Sequence, residues 1–379
     1  MVIGIDTRVL GAKSKSGIQE YTENLLVHLL PMDAKIKFKL FFSSWSGVLP
    51  DYDFLRLPNV EVRRFKTPNK ILFPAARLFN VPKLDRWLDG IDVFFSPHFF
   101  ISALSRQVRR VSTFHDLSYE RFPEFFTARQ RLWHQFEMEP ARQARFSDKI
   151  IAVSESTRND LAVKYFIDPA KIKVIYSGIS PKIKKPAAGE LEIFRRRENL
   201  PEKFVLFLGK LEPRKNAVGL LKAFNILKTF GGFDDVGLVL AGSRGWLCKD
   251  IFKEAAASSY RRQIIFKENI SDGERNFYYG LASVFVYPSF FEGFGFPPLE
   301  AMACGTPVVV SNNSSLPEVV GDAGLLIDPY NVSDIAAAIR NLLDDRRLRE
   351  NLIQKGLARS QQFSWQKCAE KTLEVLTKI

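Results

Sequence analysis

Residues 287–307 read YPSFFEGFGFPPLEAMACGTP, from Tyr287 to Pro307. An apolar run, Val284-Phe285-Val286-Tyr287, leads into the stretch, and Val308-Val309-Val310 leads out of it. Between them come a turn with Gly293 and Gly295 and then Pro297-Pro298-Leu299-Glu300-Ala301-Met302-Ala303. Proline is tolerated in the first turn of a helix, where its missing N–H would have no partner. The stretch therefore reads as strand, glycine-rich loop, helix, strand. Short apolar strands alternating with helices belong to parallel sheets covered on both faces. Glycines ahead of a helix let backbone N–H groups approach an anion, and the helix dipole adds to the attraction. Two carboxylates, Glu292 and Glu300, flank the turn with seven residues between them.

The same alternation runs outward in both directions. Before the turn, strands are expected at Phe204–Leu208, Val236–Ala241 and Ile264–Phe266, with a helix over about Ala217–Lys228. After it, Leu325–Ile327 is a strand and about Ser364–Thr377 a final helix. Residues 180–200 break the pattern with Pro181, Pro186 and Gly189 among scattered Lys and Arg, and read as a linker and a short helix. Upstream, Val2–Ile5, Lys37–Phe42, Val60–Phe65, Asp92–Phe95, Val108–Phe114 and Lys149–Val153 are strand-like. Ile18, Tyr21, Leu25 and Leu29 recur at helical spacing. Two successive blocks predict two doubly wound α/β domains, with ligands beyond the carboxyl ends of the strands and a site in the cleft between the domains.

Length and composition agree. The chain has 379 residues, 46% of them hydrophobic, enough for two cores. No window approaches ~20 continuous apolar residues, so no transmembrane helix is expected. Met1-Val2-Ile3-Gly4-Ile5-Asp6 reads as a buried strand rather than a signal peptide. Cys248, Cys304 and Cys368 lack C-x-x-C spacing, which indicates neither a disulfide framework nor a zinc site and fits a reducing cytoplasm. The net charge of +13 favours a polyanionic partner such as anionic lipid, phosphorylated substrate or nucleic acid.

The stretch around Glu292 resembles the E-x7-E signature of the family-4 retaining glycosyltransferases. The likeness runs through Glu292-Gly-Phe-Gly, Pro-Leu-Glu-Ala-Met-Ala, Gly305-Thr306-Pro307-Val308-Val309, Ser315-Leu316-Pro317-Glu318-Val319 and Gly321-Asp322-Ala323. Its wording is similar to bacterial mannosyltransferase-like members that build surface polysaccharides. The resemblance implies a GT-B architecture of two Rossmann-like domains. Residues 1–180 would take the acceptor and 181–362 the nucleotide sugar, and 363–379 would form a helix crossing back to the first domain. It implies that Glu300 holds the ribose hydroxyls and that Glu292 lies near the transferred sugar. The backbone at Phe294, Gly295 and Phe296 would meet sugar and phosphates, and Ile270 would sit where the backbone meets the nucleobase. Arg214 and Lys215, in Gly209-Lys-Leu-Glu-Pro-Arg-Lys-Asn216, would cradle the diphosphate, since Arg grips phosphate in a planar fork and Lys supplies a compact charge. Replacing either by Ala is expected to spare the fold. Gly17, within Lys13-Ser-Lys-Ser-Gly-Ile18, would let a loop approach the donor. His115, at a strand's carboxyl end, would lie near sugar and acceptor, with a charge able to switch near neutral pH.

The expected function is transfer of a sugar with retention, best matched by mannose from GDP-mannose. The acceptor is a glycan or a polyprenyl-linked molecule. No metal or other cofactor is needed, because the protein cations stabilise the leaving diphosphate. UDP-, ADP- or dTDP-sugars are the alternative donors. The Gly17 loop is not G-x-G-x-x-G, which argues against a dinucleotide dehydrogenase. Scattered basic residues argue against nucleic acid. Phe73–Phe79 and Val81–Leu88 mix large apolar residues with Lys and Arg, as segments that lie on an anionic membrane do. His98 is a weaker candidate than His115. Ser154 reads as a helix N-cap and Ser271-Asp-Gly-Glu274 as a capping box.

Overall fold

The computed structural model describes residues 1–11, 16–45 and 47–379. Of the Gly17 loop, residues 13–15 lie outside the described residues. The chain divides into two compact units. The first is Met1–Tyr119 with Ala128–Gly178 and Ser364–Ile379, and the second is Glu120–Thr127 with Ile179–Phe363.

The first unit holds a parallel seven-stranded sheet: β1 (Val2–Asp6), β2 (Lys37–Ser43), β3 (Val60–Phe65), β4 (Val93–Ser96), β5 (Arg109–Phe114), β6 (Lys149–Ala152) and β7 (Ile172–Val174). Their order is β3-β2-β1-β4-β5-β6-β7. The second unit holds a parallel six-stranded sheet: β8 (Lys203–Leu208), β9 (Val236–Ala241), β10 (Ile264–Lys267), β11 (Val284–Tyr287), β12 (Val308–Ser311) and β13 (Gly324–Ile327). Its order is β10-β9-β8-β11-β12-β13. Each sheet runs outward in both directions from a central pair, β1/β4 or β8/β11. Connections after these strands diverge to opposite faces, which opens a crevice at their carboxyl ends.

The sequence explains these positions. VGLVLA of β9 is buried at every residue, as a central strand covered on both faces must be. VEVRRF of β3 places its charges outward, as an edge strand does. The edge strand β7 went unread because it is only the three residues Ile172-Lys173-Val174, too short to show a period. Large aromatics fill the centres: Phe38, Phe41, Phe94, Phe95 and Phe114 in the first unit, and Phe204, Phe207, Phe224 and Phe285 in the second, all fully buried.

Helix ends follow the cap chemistry. Ser154 Oγ accepts the Thr157 N–H, and Ser271 pairs with Glu274 as a capping box. Ser364 caps the helix Trp365–Thr377, which packs on the helix Gly17–Leu29 within the first unit. That helix begins against Gly178: a Cβ there would stand 2.1 Å from the Trp365 nitrogen, so only glycine permits the approach. Among the described residues no helix is long and apolar enough to cross a membrane. The segments read as membrane-surface elements are divided by their packing. Phe73, Ala76, Leu84 and Leu88 enter the core, whereas Leu78, Phe79 and Val81 stay exposed.

Candidate active site

The second unit carries a buried charge cluster at the mouth of its central strand pair. After β8 the chain turns through Leu211-Glu212 into a short 3-10 turn, Pro213–Lys215, and Asn216 at φ 54° closes that turn and caps the helix Ala217–Thr229. This brings Arg214 and Lys215 over the end of β8. The loop after the neighbouring β11 delivers Glu292 to the same place. Lys215 Nζ lies 2.5 Å from Glu292 Oε1 and 2.6 Å from the Tyr287 hydroxyl. Arg214 Nη1 donates to Glu292 Oε2 at 3.1 Å and to the Phe291 carbonyl at 2.6 Å, while its Nη2 donates to Glu212 Oε1 at 2.8 Å. Glu212, Lys215 and Glu292 are all buried. Burial alone would push the Glu292 carboxyl up, but Lys215 and Arg214 outweigh it and hold it at about 2. Burial, together with Arg214, pushes the Lys215 ammonium down against the pull of Glu292 and Glu212.

Arg214 and Lys215 form no bare cationic cradle; two carboxylates already balance them. Lys215→Ala would leave Glu292 on Arg214 alone, and loss of one partner of a buried pair is expected to lower stability by up to about 3–5 kcal/mol.

The loop carrying Glu292 is held in place. The Glu292 N–H donates to Ser314 Oγ, and Ser315 Oγ donates to the carbonyls of Glu292 and Phe294. Gly295 sits at φ 113°, a conformation that side chains rarely adopt, and caps the helix Phe296–Ala303. Pro297 and Pro298 have no N–H, so of the first four donors at this helix start only those of Gly295 and Phe296 exist. An anion there would rest on two amides and the dipole rather than on a full ring of donors.

Glu300, inside the same helix, is buried beyond this cluster. Arg275 Nη1 donates to its Oε1 at 2.9 Å and the Tyr279 hydroxyl to its Oε2 at 2.8 Å. Ile270 lies between Asn269, at φ 58°, and the Ser271 cap that starts the helix Asp272–Leu281 bearing Arg275 and Tyr279. Glu212, Tyr287, Arg275 and Tyr279 were not singled out in the sequence. Only Tyr287 carried a local signal, as the last residue of a strand before Pro-Ser. Among the described residues no group of three or more His, Cys, Asp or Glu is placed to hold a metal ion.

Residues 190–359 match the family described as Glycosyl transferases group 1, and residues 15–182 match Glycosyltransferase Family 4. The O-antigen chain mannosyltransferase B of Escherichia coli is 35% identical over 310 residues, 80% of this chain and 79% of that protein. The chain is a family-4 glycosyltransferase. The serotype-specific mannosyltransferase WbdA of Escherichia coli is 31% identical to the enzyme over 253 residues, 65% of this chain and 31% of that protein. The glycosyltransferase shares its GT-B fold with sucrose-phosphate synthase from Thermosynechococcus elongatus, at TM-score 0.78 and 21% identity over 100% of this chain and 98% of that one.

The enzyme's first unit presents a different mouth. His115 follows β5, and its Nε2–H donates to the Pro97 carbonyl at 2.8 Å, with the Tyr21 ring edge-on at 4.8 Å and His98 at 5.7 Å. Burial pushes the His115 imidazole down to about 4, against the Pro97 hydrogen bond and Asp116. The expected charge switch near neutral pH is therefore corrected: this histidine is neutral there. His98 is buried, and its imidazole is pushed well below its ordinary value by burial and by His115. Gly17 opens the helix Gly17–Leu29, and a Cβ on it would meet nothing within 4 Å. Packing does not demand this glycine. At the end of β1, Arg8 and Asp6 form a buried pair at 2.6 Å that the sequence reading did not single out.

Proposed function

We propose that the enzyme transfers mannose from GDP-mannose to a glycan or polyprenyl-linked acceptor in surface polysaccharide synthesis, with retention at the anomeric carbon. The likeness to two mannosyltransferases supports the sugar. The Arg214–Lys215–Glu292–Glu212 cluster at the β8/β11 crevice carries the chemistry. In the transfer, the bond from the sugar's anomeric carbon to the diphosphate oxygen breaks and a bond to the acceptor oxygen forms. The acceptor's hydroxyl proton goes to the departing phosphate. Negative charge grows on the diphosphate as that bond breaks, and fixed cations lower the barrier most when aimed there in advance. Arg214 and Lys215 take this role without a metal ion.

Glu292 serves as their resident counter-ion. It holds both cations in place before the donor arrives and accepts from sugar hydroxyls once the diphosphate shares them. Glu300, oriented by Arg275 and Tyr279, takes the ribose hydroxyls. Phe294, Gly295 and Phe296 line the phosphates, and Ile270 takes the base. The first unit receives the acceptor, and neutral His115 hydrogen-bonds a sugar hydroxyl.

The enzyme works in the cytoplasm at the inner face of a cell membrane, a reading that the exposed Ile71, Leu78, Phe79 and Val81 support. The transfer is tested by offering GDP-mannose, UDP-, ADP- and dTDP-sugars with a mannose-terminated oligosaccharide in the presence of a chelator. The proposal expects product from GDP-mannose with an α linkage by NMR. A β linkage, product only from another donor, or loss of activity with the chelator would each overturn its corresponding part.

A further inference from the structure

β4 and β5 lie side by side, and a histidine follows the end of each: His98 in Ser96-Pro97-His98, and His115 directly after Phe114. The two rings stand 5.7 Å apart, centroid to centroid. They are held differently. His115 commits Nε2 to the Pro97 carbonyl. The His98 side chain has no hydrogen bond or ion pair among the described residues, and its Nδ1 is enclosed. Its Nε2 is likewise unpartnered but is not enclosed. The residue is 7% exposed, so Nε2 is the polar atom it presents at the mouth of β4.

Packing alone does not call for an imidazole here. Phe99 and Phe100 flank it, with ring centroids at 4.4 and 4.8 Å, and an apolar side chain would suit them as well. An enclosed nitrogen without a partner costs folding free energy, and native proteins keep few of them. Burial, and then His115, push the His98 imidazole well below its ordinary value, towards the neutral form. A neutral imidazole offers either an N–H or a bare nitrogen at Nε2. Either suits a hydroxyl, and neither brings charge to a diphosphate. Half-buried Phe100 beside it adds an apolar surface for the C–H face of a sugar ring.

We propose that His98 Nε2 hydrogen-bonds a hydroxyl of the acceptor sugar, which makes His98 a specificity-determining residue beside His115. The site rests on the reading that the first unit receives a glycan acceptor, and not on the identity of the donor.

Calorimetric titration of a mannose-terminated oligosaccharide into wild type, His98→Phe, His98→Gln and His98→Asn tests it without a transfer step. His98→Phe should bind about 10-fold more weakly, the worth of one hydrogen bond. Gln carries a polar atom to the place of Nε2 and should stay within about 3-fold of wild type. Asn reaches only the place of Nδ1 and should behave as Phe does. The melting temperature of His98→Phe should equal or exceed that of wild type, because an enclosed, partnerless nitrogen is gone. With GDP-mannose as donor, the loss should appear in KM for the oligosaccharide, with KM for GDP-mannose unchanged. Equal binding by wild type and His98→Phe, or no binding by wild type, would overturn the proposal. A His98→Phe that melts lower or fails to fold would overturn it by making the imidazole a packing group. A raised KM for GDP-mannose would overturn it by placing His98 on the donor sugar. Binding that depends on His98 without transfer from GDP-mannose would support the proposal and fault the proposed donor instead.

Discussion

The mouths of the two sheets differ in how much charge they hold. The second unit gathers Glu212, Arg214, Lys215, Glu292, Arg275 and Glu300 into charged hydrogen bonds, most of them buried. The first holds one buried ion pair, Arg8–Asp6, and beside it gathers His98, His115 and Tyr21, with burial pushing the imidazoles towards the neutral form. The tasks proposed for the two units differ in the same way. A departing diphosphate needs fixed charge nearby, and a neutral hydroxyl acceptor needs hydrogen bonds without it. Buried ion pairs contribute little net stability, because desolvation offsets their attraction, so their retention at a crevice points to function.

The sharpest way to break this contrast is to remove one charge. Lys215→Ala should cost up to about 3–5 kcal/mol of stability, because Glu292 loses a partner in a buried place. It should weaken donor binding as well. Chemical denaturation of the variant against Lys215→Met/Glu292→Gln checks the origin: the double variant should recover most of the loss.

Removing the neutral group should act on rate instead. His115→Gln is expected to lower turnover ~10- to 1000-fold while nucleotide affinity stays near wild type. A variant with full turnover would make His115 structural.

Acid separates the two mouths. His115 has a lowered folded pKa of about 4 against 6.5. The unfolded chain therefore binds its proton first, and the stability that neutral His115 contributes is present above pH 6.5 and lost as pH falls towards 4. The amount is roughly 3 kcal/mol. Glu292 is lowered from 4.5 to about 2, so its contribution is kept above pH 4.5 and lost only as pH falls towards 2. Segment-resolved hydrogen exchange should show the first unit loosening at higher pH than the second, and His115→Gln should shrink the interval.

Glu300→Ala should reduce affinity for the bare nucleotide by ~1.5–3 kcal/mol. The smallest effect is an absence. Between pH 5 and 8, turnover should show no limb that His115→Gln removes.

Much of this was readable in the chain because strand-loop-helix punctuation is local. The glycines at 293 and 295, the prolines at 297 and 298 and the serine caps at 154, 271 and 364 mark their own turns. Partnerships across long separations were not readable. That Lys215 would meet Glu292, 77 residues on, depends on β8 lying beside β11. Arg275 and Tyr279 looked like ordinary helix residues until the packing of two helices put them on Glu300. The histidine's charge state was misread for a similar reason: an imidazole at a strand end looks solvated until its neighbours are known to bury it.

The central proposal is that Arg214 and Lys215, held in place by Glu292, bind the donor's diphosphate. Calorimetric titration of GDP and GMP into the wild type and Arg214→Ala measures this. The second phosphate should make GDP bind the wild type at least ~10-fold more tightly than GMP, about one charge-assisted hydrogen bond. Arg214→Ala should bring the two ligands to nearly equal affinity through loss of GDP binding alone. A variant that keeps the wild-type preference, or a wild type with none, would contradict the claim.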